Sequence, residues 1–194
     1  MGQPALVDKG APVVRVQDVV KRYRKQMAVD GASLTIDRGE IYGLIGPDGA
    51  GKSSLMKAIA GVLSFEGGTL HVFGEKIDSE AAAERVKGRI GFMPQGLGLN
   101  LYPELSVEEN IDFFAELRDV PPVELARRKH KLLAMTRLDK FRDRPMKQLS
   151  GGMKQKLGLV CTLIHEPELI ILDEPTTGVD PVSRRDFWMI LTQL

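Results

Sequence analysis

Apolar and polar positions alternate from Val13 onward. VVRVQDVVKRY and ASLTIDRGE keep a period of two, the mark of half-buried strands, and Asp30-Gly31 and Arg38-Gly39 read as turns. Glu40-Ile41-Tyr42-Gly43-Leu44-Ile45 is nearly all apolar, the kind of run that is buried in a parallel sheet. A helix is expected from Ser53 to Ala60, stopped by Gly61. Thr69 to Phe73 and Arg89 to Met93 are strand candidates. Ser106-Val107-Glu108-Glu109 is a capping box that announces a helix through Leu117. Pro121-Pro122 interrupts the chain, and Val123 to Arg137 is again helical, with Arg127, Arg128, Lys129 and Lys131 as a solvated basic face. The last third reads as helix (Gly151 to His165), strand (Leu169 to Leu172), loop, and helix (Pro181 to the end). Residues 1–12, rich in Gly and Pro and without a period, read as a loose arm. Early antiparallel strands followed by alternating strands and helices predict an α/β fold with an antiparallel β subdomain and an α-helical insertion at roughly 96–160.

Composition changes this picture little. The chain has 194 residues, long enough for a sizeable core, and 43% of them are hydrophobic. Its 27 basic and 26 acidic side chains nearly cancel, so no overall field favours a nucleic-acid partner, and none is expected. A single cysteine, Cys161, excludes an internal disulfide framework, points to a reducing cytoplasmic setting and suits core packing. No apolar run approaches the ~18 residues that cross a bilayer, and MGQPALVDKG lacks the basic and apolar regions of a signal peptide. Leu6 stands where a myristoylation motif wants Ser or Thr. A membrane role therefore requires a partner.

Candidate chemistry begins at Gly46-Pro47-Asp48-Gly49-Ala50-Gly51-Lys52-Ser53, followed by Ser54, which fits phosphate-loop spacing. Glycines let the backbone curl so that successive N–H groups face phosphate oxygens, and the following helix offers its positive end to the same anion. Lys52 is then placed for the β- and γ-phosphates and the Ser53 hydroxyl for Mg²⁺. The buried strand Leu169 to Leu172 ends on Asp173 and Glu174. A carboxylate there faces the crevice where α/β sheets bind ligands, which suits Asp173 to Mg²⁺ and Glu174 to activating a water. Leu149-Ser150-Gly151-Gly152-Met153 opens the later helix on two glycines, an unusual start given their low helix propensity. A helix N-terminus of bare N–H groups with Ser150 beside it is either a plain cap or a second anion site. Lys154 and Lys156 are either solvated surface or added positive potential there.

These motifs, in this order, resemble the ATP-binding domain of ABC transporters. GPDGAGKS, LIILDE and LSGGM carry the resemblance, with three further matches: FMPQ, ending at Gln95, resembles the glutamine loop; Tyr23 with Met27-Ala28-Val29 resembles the aromatic loop; and Gly178-Val179-Asp180 resembles the loop after the catalytic glutamate. The resemblance implies a P-loop NTPase core from Val13 to the end, with ATP and Mg²⁺ as cofactors. It implies that Tyr23 stacks on adenine, that Gln95 joins Ser53 and Asp173 near the metal and links the nucleotide to a membrane partner, and that Lys52, Gln95 and Glu174 serve catalysis. It implies that Ser150, Gly151, Gly152 and Asp180 complete the nucleotide site of a second ATP-binding domain, in a homodimer or a tandem chain. It also implies permease subunits that hold the protein at the cytoplasmic face of the membrane. LSGGMKQKLGL with LDEPTTGVDPVSRRDFW is similar to the ABC-2 exporter group.

Asp48 replaces the family's more usual Asn and Ser54 its usual Thr, both mild departures. None of His71, His130 or His165 stands where the family places its γ-phosphate histidine, and His165 precedes the Asp173 strand. The expectation is a chain lacking that histidine and the final strand and helix, and hydrolysing ATP poorly. A ribosome-associated ABC ATPase and a non-hydrolysing nucleotide sensor remain as alternatives.

Overall fold

The computed structural model describes residues 10–96, 98 and 100–193, so positions 1–9 of the predicted arm lie outside the described residues. The chain divides into two compact units, Met1–Ile90 and Gly91–Leu194.

In the first unit, β1 (Val14–Tyr23), β2 (Gln26–Ile36), β3 (Gly67–Val72) and β4 (Glu75–Lys76) pair antiparallel in the order β2-β1-β3-β4. Along β1, Val14 and Val16 are buried while Arg15 and Gln17 are exposed, but the next buried residue is Val19. The extra residue is Asp18, at φ 49, and the register with both neighbouring strands slips beside it. Gly68 lies so close that a Cβ there would fall 2.3 Å from the Asp18 carbonyl oxygen. Asp30-Gly31 is not the expected turn. Gly31 (φ 65) lies inside β2, where the pairing with β1 is irregular, and the chain reverses instead at Arg24-Lys25, with Tyr23 opposite Gln26 and Arg24 at φ 54. Arg38-Gly39 is a turn as expected, with the Glu40 N–H bonded to the Asp37 carbonyl at 3.3 Å.

Helix α1 (Lys52–Ile59) lies against β2, and α2 (Glu80–Lys87), which hydrophobic periodicity misses, packs on β4. The run Glu40 to Ile45 is irregular rather than a strand, with Ile41 and Ile45 at least 95% exposed. Such a run is buried only when strands flank it and both faces are covered, and among the described residues no strand of the first unit pairs with it.

The second unit begins inside β5 (Ile90–Met93), which pairs with β6 (Leu169–Leu172) in a two-stranded parallel sheet. Around it lie α3 (Val107–Glu116), α4 (Pro122–Thr136), α5 (Gly151–Leu163) and α6 (Pro181–Leu191). Helix α5 is the axis of the core: Leu157, Leu159 and Val160 are fully buried, together with Ile111, Leu133 and Phe187 from three other helices. Cys161 is buried here, as expected, and burial pushes its thiol pKa up. Gly91 lets α5 approach β5, since a Cβ there would meet the Thr162 carbonyl at 2.8 Å. The capping box is complete, with Ser106 Oγ accepting from Glu109 N–H and the Glu109 carboxylate from Ser106 N–H. Asn110, fully buried, donates to the Tyr102, Leu105 and Ser106 carbonyls and accepts from Tyr102 N–H, which ties the preceding loop to α3.

The basic face of α4 is only partly solvated. Arg128 pairs with Glu166 at 3.0 Å, and Lys129 reaches Glu108 at 2.9 Å and also Asp112, each basic side chain being largely covered. The hydrogen bond from Lys129 holds the Glu108 carboxyl below its usual range. Burial works against the charge of Lys129, but its bonds to Asp112 and Glu108 outweigh that and keep its pKa above an ordinary lysine's. Glu108 therefore stabilises the fold above the ordinary carboxylate range and stops doing so as pH falls through its lowered pKa. Lys129 stabilises it below the ordinary lysine range, until pH rises through the raised value. Both contributions are present together between about pH 4 and about pH 10. In urea unfolding followed by the fluorescence of the only tryptophan, Trp188, Lys129→Met is expected to flatten the acid limb of stability against pH. An acid limb unchanged from wild type would contradict this network.

Candidate functional site

The predicted site residues fall into two groups, one in each unit. In the first, Gly46 to Ala50 are exposed in the loop before α1, with the Ala50 N–H bonded to the Pro47 carbonyl at 3.2 Å. Lys52 Nζ donates to the carbonyls of Gly46 and Pro47, both at 2.8 Å, so the lysine lies along the loop it is predicted to serve. Gly51 is the N-cap of α1 at φ 86; no side chain caps the helix, and its first turn holds no acidic residue. The N-terminal N–H groups thus keep their positive potential for an anion. Gly51 also approaches β2 closely, since a Cβ there would fall 1.9 Å from the Ala28 carbonyl oxygen. Tyr23 is half exposed, its hydroxyl 3.4 Å from Ser54 Oγ, and Lys21 Nζ lies 5.4 Å from its ring centre. Lys21 itself is held at 2.8 Å by Glu66, whose carboxyl that bond keeps below its usual pKa. The aromatic residue and the phosphate loop are therefore neighbours, as expected.

In the second unit, Asp173 is buried at the end of β6, its N–H bonded to the Met93 carbonyl at 2.9 Å. Glu174 follows at φ 45, a conformation uncommon outside glycine. Its carboxylate accepts from Gln95 Nε2 at 2.8 Å and from Thr177 Oγ1 at 3.0 Å. Gln95 and Glu174, 79 positions apart, are thus brought together. Ser150 is the N-cap of α5, accepting from the Met153 N–H at 3.3 Å. Asp180 caps α6 by accepting from Ser183 N–H at 2.9 Å, and this backbone bond lowers its pKa.

Gly152 has a packing role that the sequence does not announce. A Cβ on Gly152 would fall 2.5 Å from Ser183 Cβ and 3.8 Å from Asp180 Oδ2, so α5 and α6 begin against each other. Gly152→Ala is expected to lose about 2 kcal/mol, overpacking outweighing the gain in helix propensity. Most of this should return in Gly152→Ala with Ser183→Gly, and equal denaturation midpoints for the single and double variants would refute the contact. Lys156 is neither free surface nor anion potential, since it pairs with Asp186 of α6 at 3.1 Å and is largely covered.

Sequence reasoning missed Thr177, Ser183 and Gln155. Gln155, set between Lys154 and Lys156, gives no sign of burial in the sequence, yet it is 2% exposed and donates to the Pro175 carbonyl at 2.6 Å.

An α/β fold with a phosphate loop opening an uncapped helix, and an acidic pair closing a strand that is half-buried rather than fully buried as expected, places the chain in the P-loop NTPase class. The family model for ABC transporter matches residues 29–177, and the chain belongs to that family. Among curated relatives, Nod factor export ATP-binding protein I of Ralstonia nicotianae is 38% identical over 183 residues, covering 94% of this chain and 56% of the relative. The probable multidrug ABC transporter ATP-binding protein YbhF of Escherichia coli is 42% identical over 185 residues, covering 94% and 31%. The chain thus spans about half or less of these relatives. Among solved structures, cbiO1 of Clostridium perfringens, part of the ABC transporter complex cbiONQ, superposes with a TM-score of 0.83 at 28% identity, covering 95% of this chain and 74% of that one. A dimeric ATP-binding cassette in a post-hydrolysis state bound to ADP and Pi gives 0.82 at 26% identity, covering 93% and 82%. Among the described residues, no helix is long and apolar enough to cross a membrane.

Proposed function

We propose that this chain is the ATP-binding and ATP-hydrolysing part of an ABC exporter, working in a pair with a second such domain and coupled to membrane permease subunits. The observation that carries the reading is the phosphate loop, which leads into an uncapped α1 N-terminus and holds Lys52 Nζ on the Gly46 and Pro47 carbonyls. In this reading the N–H groups from Gly49 to Ser54 and Lys52 bind the phosphates, Ser53 and Asp173 serve Mg²⁺, and Tyr23 packs on the base. Glu174 orients and deprotonates the attacking water, with Gln95 holding its carboxylate. Ser150, Gly151, Gly152 and Asp180 face the nucleotide of the second domain. ATP then favours the paired state to the extent that pairing improves its binding, and hydrolysis releases it. Export is supported by the names of the relatives, and localisation at the membrane follows from the permease partners.

The test is calorimetric titration of the protein with Mg-ATP. Lys52→Ala is expected to weaken binding at least about tenfold, because a charge-assisted contact to phosphate is lost. Equal affinity for the two proteins would overturn the assignment.

A further inference from the structure

Gln155 stands apart in the core of the second unit, an amide between Lys154 and Lys156 that is buried to 2% on a helix whose other buried residues are almost all apolar or glycine. Its Nε2 donates to the Pro175 carbonyl at 2.6 Å, while its buried Oε1 has no hydrogen-bond partner. A methionine or leucine would fill the space without burying an unsatisfied acceptor. Packing therefore does not explain an amide here, and the one group it holds becomes the point of interest.

Pro175 directly follows Glu174. A proline crowds the residue before it toward extended backbone, yet Glu174 sits at φ 45. A backbone under both constraints has to be fixed from outside. Thr177 N–H bonds the Glu174 carbonyl at 3.1 Å from within the loop. From outside the loop, the bond from Gln155 on α5 anchors the next carbonyl along. We propose that Gln155 is a positioning residue for Glu174: by anchoring Pro175 to α5 it holds the glutamate in its left-handed conformation, with the carboxylate against Gln95 and Thr177. The inference rests on the reading of Glu174 as the general base. It also makes α5, which Ser150 caps, the rigid element to which the base is fastened.

The experiment compares Gln155→Met, which keeps the shape and removes the donor, with Gln155→Glu, which donates to Pro175 only when protonated. In the complete protein, Gln155→Met is expected to lower kcat for ATP hydrolysis about tenfold or more while the Kd for Mg-ATP stays within about twofold, the signature of a misplaced base. Relative to wild type at each pH, Gln155→Glu should recover between about pH 8 and about pH 6, as its buried carboxyl takes up a proton, whereas Gln155→Met should not. Hydrogen exchange reads the same point without turnover: the amides of Glu174 and of residues 176–178 should exchange faster in Gln155→Met while those of α5 keep their protection. Wild-type kcat with unchanged exchange in Gln155→Met overturns the inference, as does a Gln155→Glu ratio that stays flat with pH. Glu174→Gln separates the two ideas. If it abolishes turnover while Gln155→Met does nothing, only the positioning role fails, and if it leaves turnover intact, the catalytic reading fails.

Discussion

Glu174→Gln should lower the rate of ATP hydrolysis by two to three orders of magnitude, about the range over which general-base catalysis contributes, with Mg-ATP binding retained. The substitution keeps the shape of the side chain and leaves an oxygen to accept from Gln95, now at 2.8 Å, and from Thr177 at 3.0 Å. What it removes is the capacity to take a proton from water. Phosphate release measured beside nucleotide binding separates the two effects. A variant retaining more than about a tenth of the wild-type rate would show that proton abstraction lies elsewhere.

Gly51→Ala should have the largest effect on the first unit. Its φ of 86 already disfavours a side chain, and the new Cβ would meet the Ala28 carbonyl oxygen at 1.9 Å, a backbone atom that cannot rotate away. Either β2 or the phosphate loop must move, and a loss of about 3 kcal/mol or more is expected together with loss of Mg-ATP binding. Gly49→Ala is the matched comparison: φ is 80 and no atom lies within 4 Å of the new Cβ, so only the left-handed strain remains, about 1–2 kcal/mol. Thermal unfolding by circular dichroism should rank the two in that order. Equal midpoints would mean that the loop does not lean on β2.

Much of the fold was legible because its signals are local. The Ser106 capping box, the Gly61 stop after α1 and the four apolar residues of β6 each act over one turn or one strand, and each appears where the pattern puts it. The misreadings arose where a distant partner decides. Asp30-Gly31 has the chemistry of a turn, but β1 continues past it, so the glycine's positive φ is used inside β2. Helix α2 carries Ala82, Ala83 and Val86 as its buried face, too small a stripe to stand out, although Ser79 accepting from Ala82 N–H is an ordinary cap. Arg128 and Lys129 read as solvated because Glu166, Glu108 and Asp112 come from other parts of the second unit. In the site, residue types and spacing pointed to the phosphate loop and the acidic pair, and the family resemblance to Gln95. The Gln155 anchor and the Ser183 contact depend on how α5 packs, which no spacing reports.

The meeting of Gly152 and Ser183 also constrains the order in which this sequence can change. A side chain at position 152 is better tolerated once position 183 has lost its own, because the two Cβ atoms would otherwise lie 2.5 Å apart. A lineage taking the steps in one order crosses a shallow loss, since glycine in the first turn of α6 costs about 1 kcal/mol. In the other order it crosses the deeper loss of about 2 kcal/mol expected of Gly152→Ala alone. Positions 31 apart in the chain are thus linked in their history by a contact one methyl group wide.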